Sequence, residues 1–147
     1  MKIETILSVA ERRLVTVDDK TKLTEVAACL GGDHTDIAVV CDENGRMVGV
    51  VTKTDIVSRI GACEGHACTT MAASVMSQDV AYCHPGDSVQ TAWDIMKEKR
   101  HLHIPIVDSD HYPLGILYAQ DVLQELLRET EYEEDLLRDY VSAVGYQ

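Results

Sequence analysis

Residues 49–55, Gly-Val-Val-Thr-Lys-Thr-Asp, combine groups that could bind a phosphorylated sugar. An apolar run ends and a helix is predicted to begin at Thr52, where backbone N–H groups and the helix dipole favour an anion. Lys53 adds a cation, and Asp55 lies one turn into the helix, where its carboxylate can accept hydrogen bonds from the two hydroxyls of a ribose. The same Thr-x-x-Asp spacing is typical of ordinary helix capping, so the motif alone leaves both interpretations open.

The Thr52–Asp55 motif lies in the first copy of an internal repeat. A shift of 66 residues keeps the apolar pattern in register, without a gap, between residues 14–57 and 80–123. Within this range three pairs of positions carry the same residue, namely Asp42 and Asp108, Gly49 and Gly115, and Asp55 and Asp121. Self-similarity at one fixed period indicates two copies of one supersecondary unit.

Each copy of the repeat predicts the same order of elements: strand, helix, strand, strand, helix. They fall at residues 14–17, 23–30, 37–41, 47–51 and 52–60 in the first copy, and at 80–83, 89–96, 104–107, 114–117 and 119–127 in the second. One unit of three short strands buries little apolar surface, whereas two units can share a core. We therefore predict an α+β fold in which two β-α-β-β-α units pack sheet against sheet with pseudo-two-fold symmetry.

The chain divides into four segments. The first repeat takes residues 1–62, a connector rich in small residues takes 63–74, the second repeat takes 75–127, and a helical tail takes 128–147. An apolar stripe at helical spacing runs along the last helix into the tail, through Leu126, Leu127, Leu136, Leu137, Tyr140 and Val141. Because soluble monomers seldom expose large apolar patches, the stripe predicts a homodimer.

The charge of the chain limits its possible partners. Thirteen Lys and Arg against 25 Asp and Glu give a net charge of −12, whereas nucleic-acid surfaces need clustered cations. No apolar run approaches the roughly 20 residues of a membrane span, and the first residues do not resemble a secretion signal. We expect a cytoplasmic protein with neither nucleic acid nor membrane as a partner.

Cysteine and histidine patterns give little support for a metal or catalytic site. Five cysteines without a Cys-x-x-Cys pair indicate reduced thiols. The metal-ligand candidates with the closest spacing are Cys63, His66 and Cys68, with His84 as a fourth. This spacing is not that of a standard zinc site, so no metal is expected. His101 and His103 alternate on a predicted strand and face opposite sides, and no nucleophile elbow or glycine-rich phosphate loop is present, so we do not expect an enzyme.

The ordered set of motifs resembles the cystathionine-β-synthase (CBS) domain family. The first copy carries Asp-x-x-Gly and then Gly-Val-Val-Thr-x-x-Asp-Ile, and the second carries Gly-Ile-Leu-Tyr-Ala-Gln-Asp-Val at the matching place. Residues 74–77, 85–88 and 100–108 fit the same pattern. The resemblance covers residues 4–127, which is most of the chain.

This resemblance implies two symmetry-related clefts between the paired repeats, each suited to the adenosine part of a ligand. AMP, ADP or ATP is the expected ligand, with NAD and S-adenosylmethionine as alternatives. Carried over residue by residue, the first cleft joins Val51, Thr52, Lys53 and Asp55 to Ala81, Tyr82, Leu102 and His103. The second cleft joins Asp121 to Thr16, Asp36 and Ile37.

The second cleft departs from the family pattern at Tyr118, which stands where a Ser or Thr is expected. A small hydroxyl is lost and bulk is gained, so the ring either fills the cleft or packs against a base. We expect one good site and one degraded site.

Two functions remain open from the sequence. The first is a regulatory module that binds an adenosine-containing ligand and passes a change of shape to an unknown partner protein. The second is a structural or interaction module with degenerate clefts, whose working surface is the C-terminal helix. Thr52, Lys53 and Asp55 favour the first, whereas Tyr118 and the acidity favour the second. The resemblance also implies that the last helix of each repeat lies on one face of the repeat pair, and that two chains associate through this face.

Overall fold

A computed structural model describes residues 2–31, 36–62 and 70–145 of the chain. In chain order its elements are the 3₁₀ helix η1 (Ile3–Ile6), α1 (Leu7–Arg12), β1 (Thr16–Asp18), α2 (Leu23–Cys29), β2 (Ile37–Cys41), β3 (Met47–Thr52), α3 (Lys53–Ala62), α4 (Ala72–Val75), α5 (Val89–Lys99), β4 (His103–Val107), β5 (Pro113–Tyr118) and α6 (Ala119–Gly145). The predicted α+β class with a C-terminal helical extension is confirmed. Within these residues, no helix is both long enough and apolar enough to cross a membrane.

The two repeats build two separate sheets. β1 pairs with β2 in parallel, and β2 pairs with β3 in an antiparallel hairpin in which Ile37 lies opposite Thr52. β4 and β5 form the matching hairpin, in which His103 lies opposite Tyr118. Each hairpin therefore ends where a closing helix, α3 or α6, begins.

The strand predicted at residues 80–83 is reduced to a single bridge between Cys83 and β4. Cys83 N–H donates to the Pro105 carbonyl at 3.1 Å and Val107 N–H donates to the Cys83 carbonyl at 2.9 Å, but the ladder goes no further. In the first repeat, the next bond outward is donated by Val39 N–H to the Val15 carbonyl at 2.8 Å. Pro105 occupies the position equivalent to Val39 and has no N–H, so the second parallel strand cannot be extended.

An aliphatic core joins the two sheets, as the sequence predicted. One cluster contains buried residues of both hairpins, among them Val39 and Val50 from the first and Val107, Ile116 and Tyr118 from the second. Two further clusters lie between each sheet and its own helices. Because the shared cluster needs both sheets, neither repeat can bury it alone.

The segments that precede the first predicted strand of each repeat are exchanged between the repeats, which the sequence did not indicate. Ile3 and Ala10, from η1 and α1, are buried in the core of the second repeat, whereas Ala72 of α4 is buried in the core of the first. Matching backbone bonds fix both segments. Ile3 N–H donates to the Asp87 carbonyl at 2.9 Å, and Ala72 N–H donates to the Thr21 carbonyl at 2.8 Å.

Two equivalent glycines allow the exchanged segments to approach the sheets. A Cβ atom on Gly49 would lie 2.8 Å from the Ser77 carbonyl oxygen. A Cβ atom on Gly115 would lie 2.8 Å from the carbonyl carbon of Ala10. Both neighbours are backbone atoms, so a larger residue at either position would push the crossing segment away from the sheet.

The last helix, α6, continues from the second repeat into the tail without interruption. Val122 is buried and Leu126 is half-buried against the core of the second repeat. Leu126, which the predicted apolar stripe includes, therefore packs against its own chain. The exposed apolar side chains further along are Leu127, Tyr132, Leu136 and Leu137. The side chains of Tyr140 and Val141, which the predicted stripe includes, lie outside the described part of the structure.

Candidate functional site

The turn between β3 and α3 brings Thr52 and Asp55 together. Thr52 N–H donates to Asp55 Oδ2 at 3.0 Å, and Asp55 N–H donates to Thr52 Oγ1 at 3.2 Å. This reciprocal cap confirms the capping interpretation of the motif. Asp55 Oδ1 has no hydrogen-bond partner among the described residues. Both side chains line a cleft of about 270 Å³, so the cap and a ligand-binding role are compatible.

The backbone at the start of α3 is less open to an anion than the sequence suggested. The N–H groups of Thr52 and Asp55 are used in the cap, and Lys53 N–H donates to the Asp36 carbonyl at 3.1 Å. An anion at this helix start must therefore be held mainly by side chains.

The opposite wall of the cleft comes from the segment that leads into the second repeat. Ser77 and Val50 exchange two backbone hydrogen bonds, at 2.9 and 3.1 Å, which fix residues 77–81 beside β3. The apolar part of the lining consists of Ile37, Val50, Val80, Ala81, Leu102 and Pro105. Asp55 and Asp79 are the acidic residues of the lining. A concave cleft that combines apolar side chains with convergent polar groups is typical of a small-molecule site.

A second depression, of about 300 Å³, adjoins the cleft, and we call it the annex. The residues that line both are Thr52, Thr54, His101, Leu102 and His103. The annex adds Lys53, Arg100 and Asp36. The Asp36 carboxylate pairs with Lys53 Nζ at 3.3 Å and lies 3.6 Å from His103 Nε2.

His103 lies where the cleft meets the annex. Its ring contacts the Tyr118 ring edge-on, with 4.5 Å between the centroids. Burial lowers the pKa of His103 below its usual 6.5, and this outweighs the Asp36 carboxylate, which acts in the opposite direction. His103 is therefore mainly neutral at pH 7 in the protein without ligand.

Most residues predicted for the first cleft lie at it, but two do not. Thr52, Asp55, Ala81, Leu102 and His103 line the cleft, and Lys53 lines the annex. Val51 is fully buried in the core of the first repeat, because alternate residues of β3 face opposite sides of the sheet. Tyr82 is exposed, and its ring contacts His84 and His111 instead.

Asp36 and Ile37, predicted for the second cleft, lie at the first site. Ile37 pairs with Thr52 across the β2–β3 hairpin and lines the cleft, and Asp36 precedes it at the annex. The hairpin register therefore brings these residues to the motif of their own repeat.

Protein side chains already occupy the equivalent motif of the second repeat. Arg13 Nε donates to Asp121 Oδ2 at 2.8 Å and Arg13 Nη2 donates to Oδ1 at 3.3 Å. The guanidinium also lies 4.3 Å from the centroid of the Tyr118 ring. Tyr118 is 5% exposed, and its hydroxyl accepts a hydrogen bond from Asp36 N–H at 3.1 Å. Thr16, also predicted here, lines a separate groove with Asp18, Asp42 and Tyr112.

Sequence reasoning missed several residues of these sites. Arg13 is 108 positions from Asp121, and nothing local in the sequence links the two. Thr54, Asp79 and His101 line the cleft although no site motif contained them as ligands. Ser77 was signalled by the Ser-Val-Met-Ser run, but only as part of the family pattern.

The metal-ligand candidates Cys63, His66 and Cys68 lie outside the described residues. Within the described ranges, no group of three or more His, Cys, Asp or Glu side chains is arranged to hold a metal ion.

Comparison with known proteins identifies the repeat. The sequence pattern of the CBS domain matches residues 6–62 and 72–128. A Methanopyrus kandleri protein is 26% identical over 124 residues, which cover 84% of this chain and 63% of that protein. Inosine-5′-monophosphate dehydrogenase of Nitrosopumilus maritimus is 32% identical over 84 residues, which cover 57% of this chain and 16% of the enzyme. The chain thus spans less than two thirds of the length of either relative.

Solved structures share the fold at low sequence identity. A CBS domain pair in complex with 5′-methylthioadenosine and S-adenosyl-L-methionine has a TM-score of 0.74 at 19% identity, covering 88% of this chain and 98% of that one. CBSX2 of Arabidopsis thaliana in complex with AMP has a TM-score of 0.73 at 18% identity, with the same coverage. The cytosolic domain of the Mg²⁺ channel MgtE in complex with ATP has a TM-score of 0.66 at 23% identity, covering 76% of this chain and 44% of that one.

Proposed function

Because the chain belongs to the CBS domain family, we propose that it is a non-catalytic regulatory module that binds an adenosine-containing ligand in the Thr52/Asp55 cleft. The observation that carries this proposal is the geometry of Asp55. Its Oδ2 atom completes the helix cap, which fixes the side chain, while Oδ1 has no partner among the described residues of a cleft lined by both repeats.

Each part of such a ligand has a complementary surface. The ribose hydroxyls donate to the Asp55 carboxylate, a charge-assisted contact that contributes about 1.5–3 kcal/mol. The adenine ring packs among the apolar side chains of the cleft, which include Ile37, Val80 and Ala81. Phosphates enter the annex, where Lys53 and Arg100 supply positive charge. The complexes of related folds with AMP, ATP and S-adenosylmethionine support this ligand class.

The ligand would act by changing how the two repeats fit together. The cleft lies between β3 of the first repeat and residues 77–81 and 101–103 of the second, so a bound molecule contacts both sides. A partner protein that prefers one arrangement would then respond to ligand concentration. AMP, ADP and ATP fit the annex best, because each carries a terminal phosphate, whereas the diphosphate of NAD is enclosed between two nucleosides and S-adenosylmethionine has no phosphate.

We propose one ligand per chain, because Arg13 and Tyr118 fill the second motif. The test is calorimetric titration of the protein with AMP, ADP, ATP, NAD and S-adenosylmethionine. Binding of at least one of them at a stoichiometry near one supports the proposal. Absence of binding for all five would favour the structural alternative, in which both clefts are degenerate.

We also propose that the chain forms a homodimer through its closing helices. Val57 on α3 is 70% exposed and Leu127 on α6 is 61% exposed, and Leu136 and Leu137 extend the apolar surface along the tail. Sedimentation equilibrium at micromolar concentration should give twice the chain mass, and a monomer would refute the dimer. Truncation after Leu127 should weaken the association if the tail takes part.

A further inference from the structure

The annex holds a carboxylate among its cations, and this carboxylate has no evident role in binding a nucleotide. The described charged side chains that line the annex are Lys53, Arg100 and Asp36, and its other ionisable groups are His101 and His103. Asp36 pairs with Lys53 Nζ at 3.3 Å through Oδ1 and lies 3.6 Å from His103 Nε2 through Oδ2. Both oxygens of Asp36 therefore lie beside groups that a phosphate would use.

The backbone of Asp36 is fixed independently of its charge. Its N–H donates to the Tyr118 hydroxyl at 3.1 Å, and its carbonyl accepts from Lys53 N–H at 3.1 Å. Ile37, the next residue, pairs with Thr52 in the β2–β3 hairpin. The carboxylate is thus held at the annex by main-chain contacts, although its side chain is 42% exposed.

We infer that Asp36 is a specificity-determining residue that disfavours ligands with several phosphates and so selects for a nucleoside monophosphate at the Thr52/Asp55 cleft. This inference rests on the proposed function of the same cleft. The Lys, Arg and Asp side chains that line the annex give it one net positive charge, from two cations and one anion, and burial of His103 favours its neutral form. That charge balances part of a single phosphate, whereas ATP adds roughly two further negative charges at neutral pH, since each added phosphate group ionises.

The Asp36→Asn variant isolates this effect. Asn has nearly the same shape and keeps the backbone contacts to Tyr118 and Lys53, so the change removes the carboxylate charge without removing the hairpin contacts. Calorimetric titrations with adenosine, AMP and ATP then measure affinity as the number of phosphates rises. One unit charge acting across about 8 Å, at an effective dielectric constant between those of a protein surface and water, changes affinity about fivefold.

We expect Asp36→Asn to leave adenosine affinity within about twofold of the original chain and to raise the ratio of ATP affinity to AMP affinity at least about fivefold. Added salt should reduce this gain, because the Asp36 carboxylate is partly exposed to solvent and its repulsion of a phosphate is therefore screened. The matched control is Asp94→Asn on α5, which removes one carboxylate from the chain, lines neither the cleft nor the annex, and should not change the ratio.

A second variant identifies the group through which Asp36 acts. In the Asp36→Asn, Lys53→Gln chain the annex loses one anion and one cation, so the ratio should return toward that of the original chain. The inference is overturned if AMP binds and Asp36→Asn leaves the ratio unchanged, or if the double variant keeps the full gain. If ATP binds the original chain and AMP does not, this inference fails while the proposed function stands; if none of AMP, ADP, ATP, NAD and S-adenosylmethionine binds, the proposed function fails and this inference fails with it.

Discussion

Asp55 has one observed role, in capping α3, and one proposed role, in binding a ribose, and a substitution can separate them. One carboxylate oxygen caps α3 through Thr52 N–H at 3.0 Å, and the other is the proposed acceptor for a ribose. Asp55→Ala removes both roles. Asp55→Asn keeps an oxygen that can accept from Thr52 N–H, but it loses the negative charge and one of the two acceptors.

The expected magnitudes differ for stability and for binding. Loss of the cap in Asp55→Ala should lower the free energy of unfolding by about 0.5–2 kcal/mol. Loss of a hydrogen bond to a charged group should weaken AMP binding by about 1.5–3 kcal/mol, or about 10-fold to 150-fold. Asp55→Asn should stay within about 0.5 kcal/mol of the original stability, since amide and carboxylate oxygens cap helices about equally well, yet still lose about tenfold in affinity.

The assay is calorimetric titration with AMP together with urea unfolding of the same preparations. Asp121→Ala is the matched control, because Asp121 stands at the equivalent position of the second repeat and is held by Arg13. It should reduce stability without changing AMP affinity at the first cleft. AMP affinity within twofold of the original in a folded Asp55→Ala chain would refute the assignment of Asp55 to the ligand.

Three further predictions concern the second motif, the core and pH. Arg13→Ala combined with Tyr118→Thr should raise nucleotide stoichiometry toward two per chain in calorimetry, and a value of one with the fold intact would show that these side chains do not close the second cleft. Gly115→Ala should lower the free energy of unfolding by about 1–3 kcal/mol in urea titrations, because the added Cβ would lie 2.8 Å from a backbone atom of Ala10. Gly86→Ala is the control and should be nearly neutral, because a Cβ there meets nothing within 4 Å. Equal effects of the two substitutions would contradict the close packing at Gly115. Burial lowers the pKa of His103, so the contribution of this residue to stability is complete above about pH 6.5 and is lost as the pH falls through the lower folded pKa. The His103→Gln variant should therefore lose less unfolding free energy than the original chain as the pH falls below about 6.5. An unchanged slope of unfolding free energy against pH would argue against a buried neutral imidazole.

The sequence predicted the repeat and its elements because these follow from local rules. Apolar periodicity predicted the helices and the two hairpins, and the 66-residue shift predicted that they occur twice. The short second parallel strand was predictable in principle, because Pro105 cannot donate a ladder bond at that position. The exchange of the segments before each repeat was not, since burial of Ile3 in the second repeat rather than the first is decided by tertiary contacts.

The site was only partly predictable for the same reason. Thr52 and Asp55 are three residues apart, so their contact follows from local helix geometry, and both line the cleft. Val51 was predicted at the cleft because the prediction treated the whole Gly-Val-Val-Thr run as one surface. Successive side chains of a strand point to opposite faces, and Val51 faces the core of the first repeat. Asp36 and Ile37 were placed at the wrong motif, because the hairpin register that sets their neighbours cannot be read from their own residue types.

The difference between the two motifs follows from two positions at which the repeats diverge. With the same 66-residue shift, Arg13 corresponds to Asp79, and Tyr118 corresponds to Thr52. At the second motif the cation at position 13 pairs with Asp121 and packs on the Tyr118 ring, so protein side chains occupy that motif. At the first motif the equivalent residue is the acidic Asp79, which lines the cleft together with Asp55. Two like charges repel and cannot form an internal pair, and Thr52 brings no ring to fill the space. A reversal of charge at one position and a change of size at the other therefore leave one cleft open in a fold whose backbone is nearly symmetric.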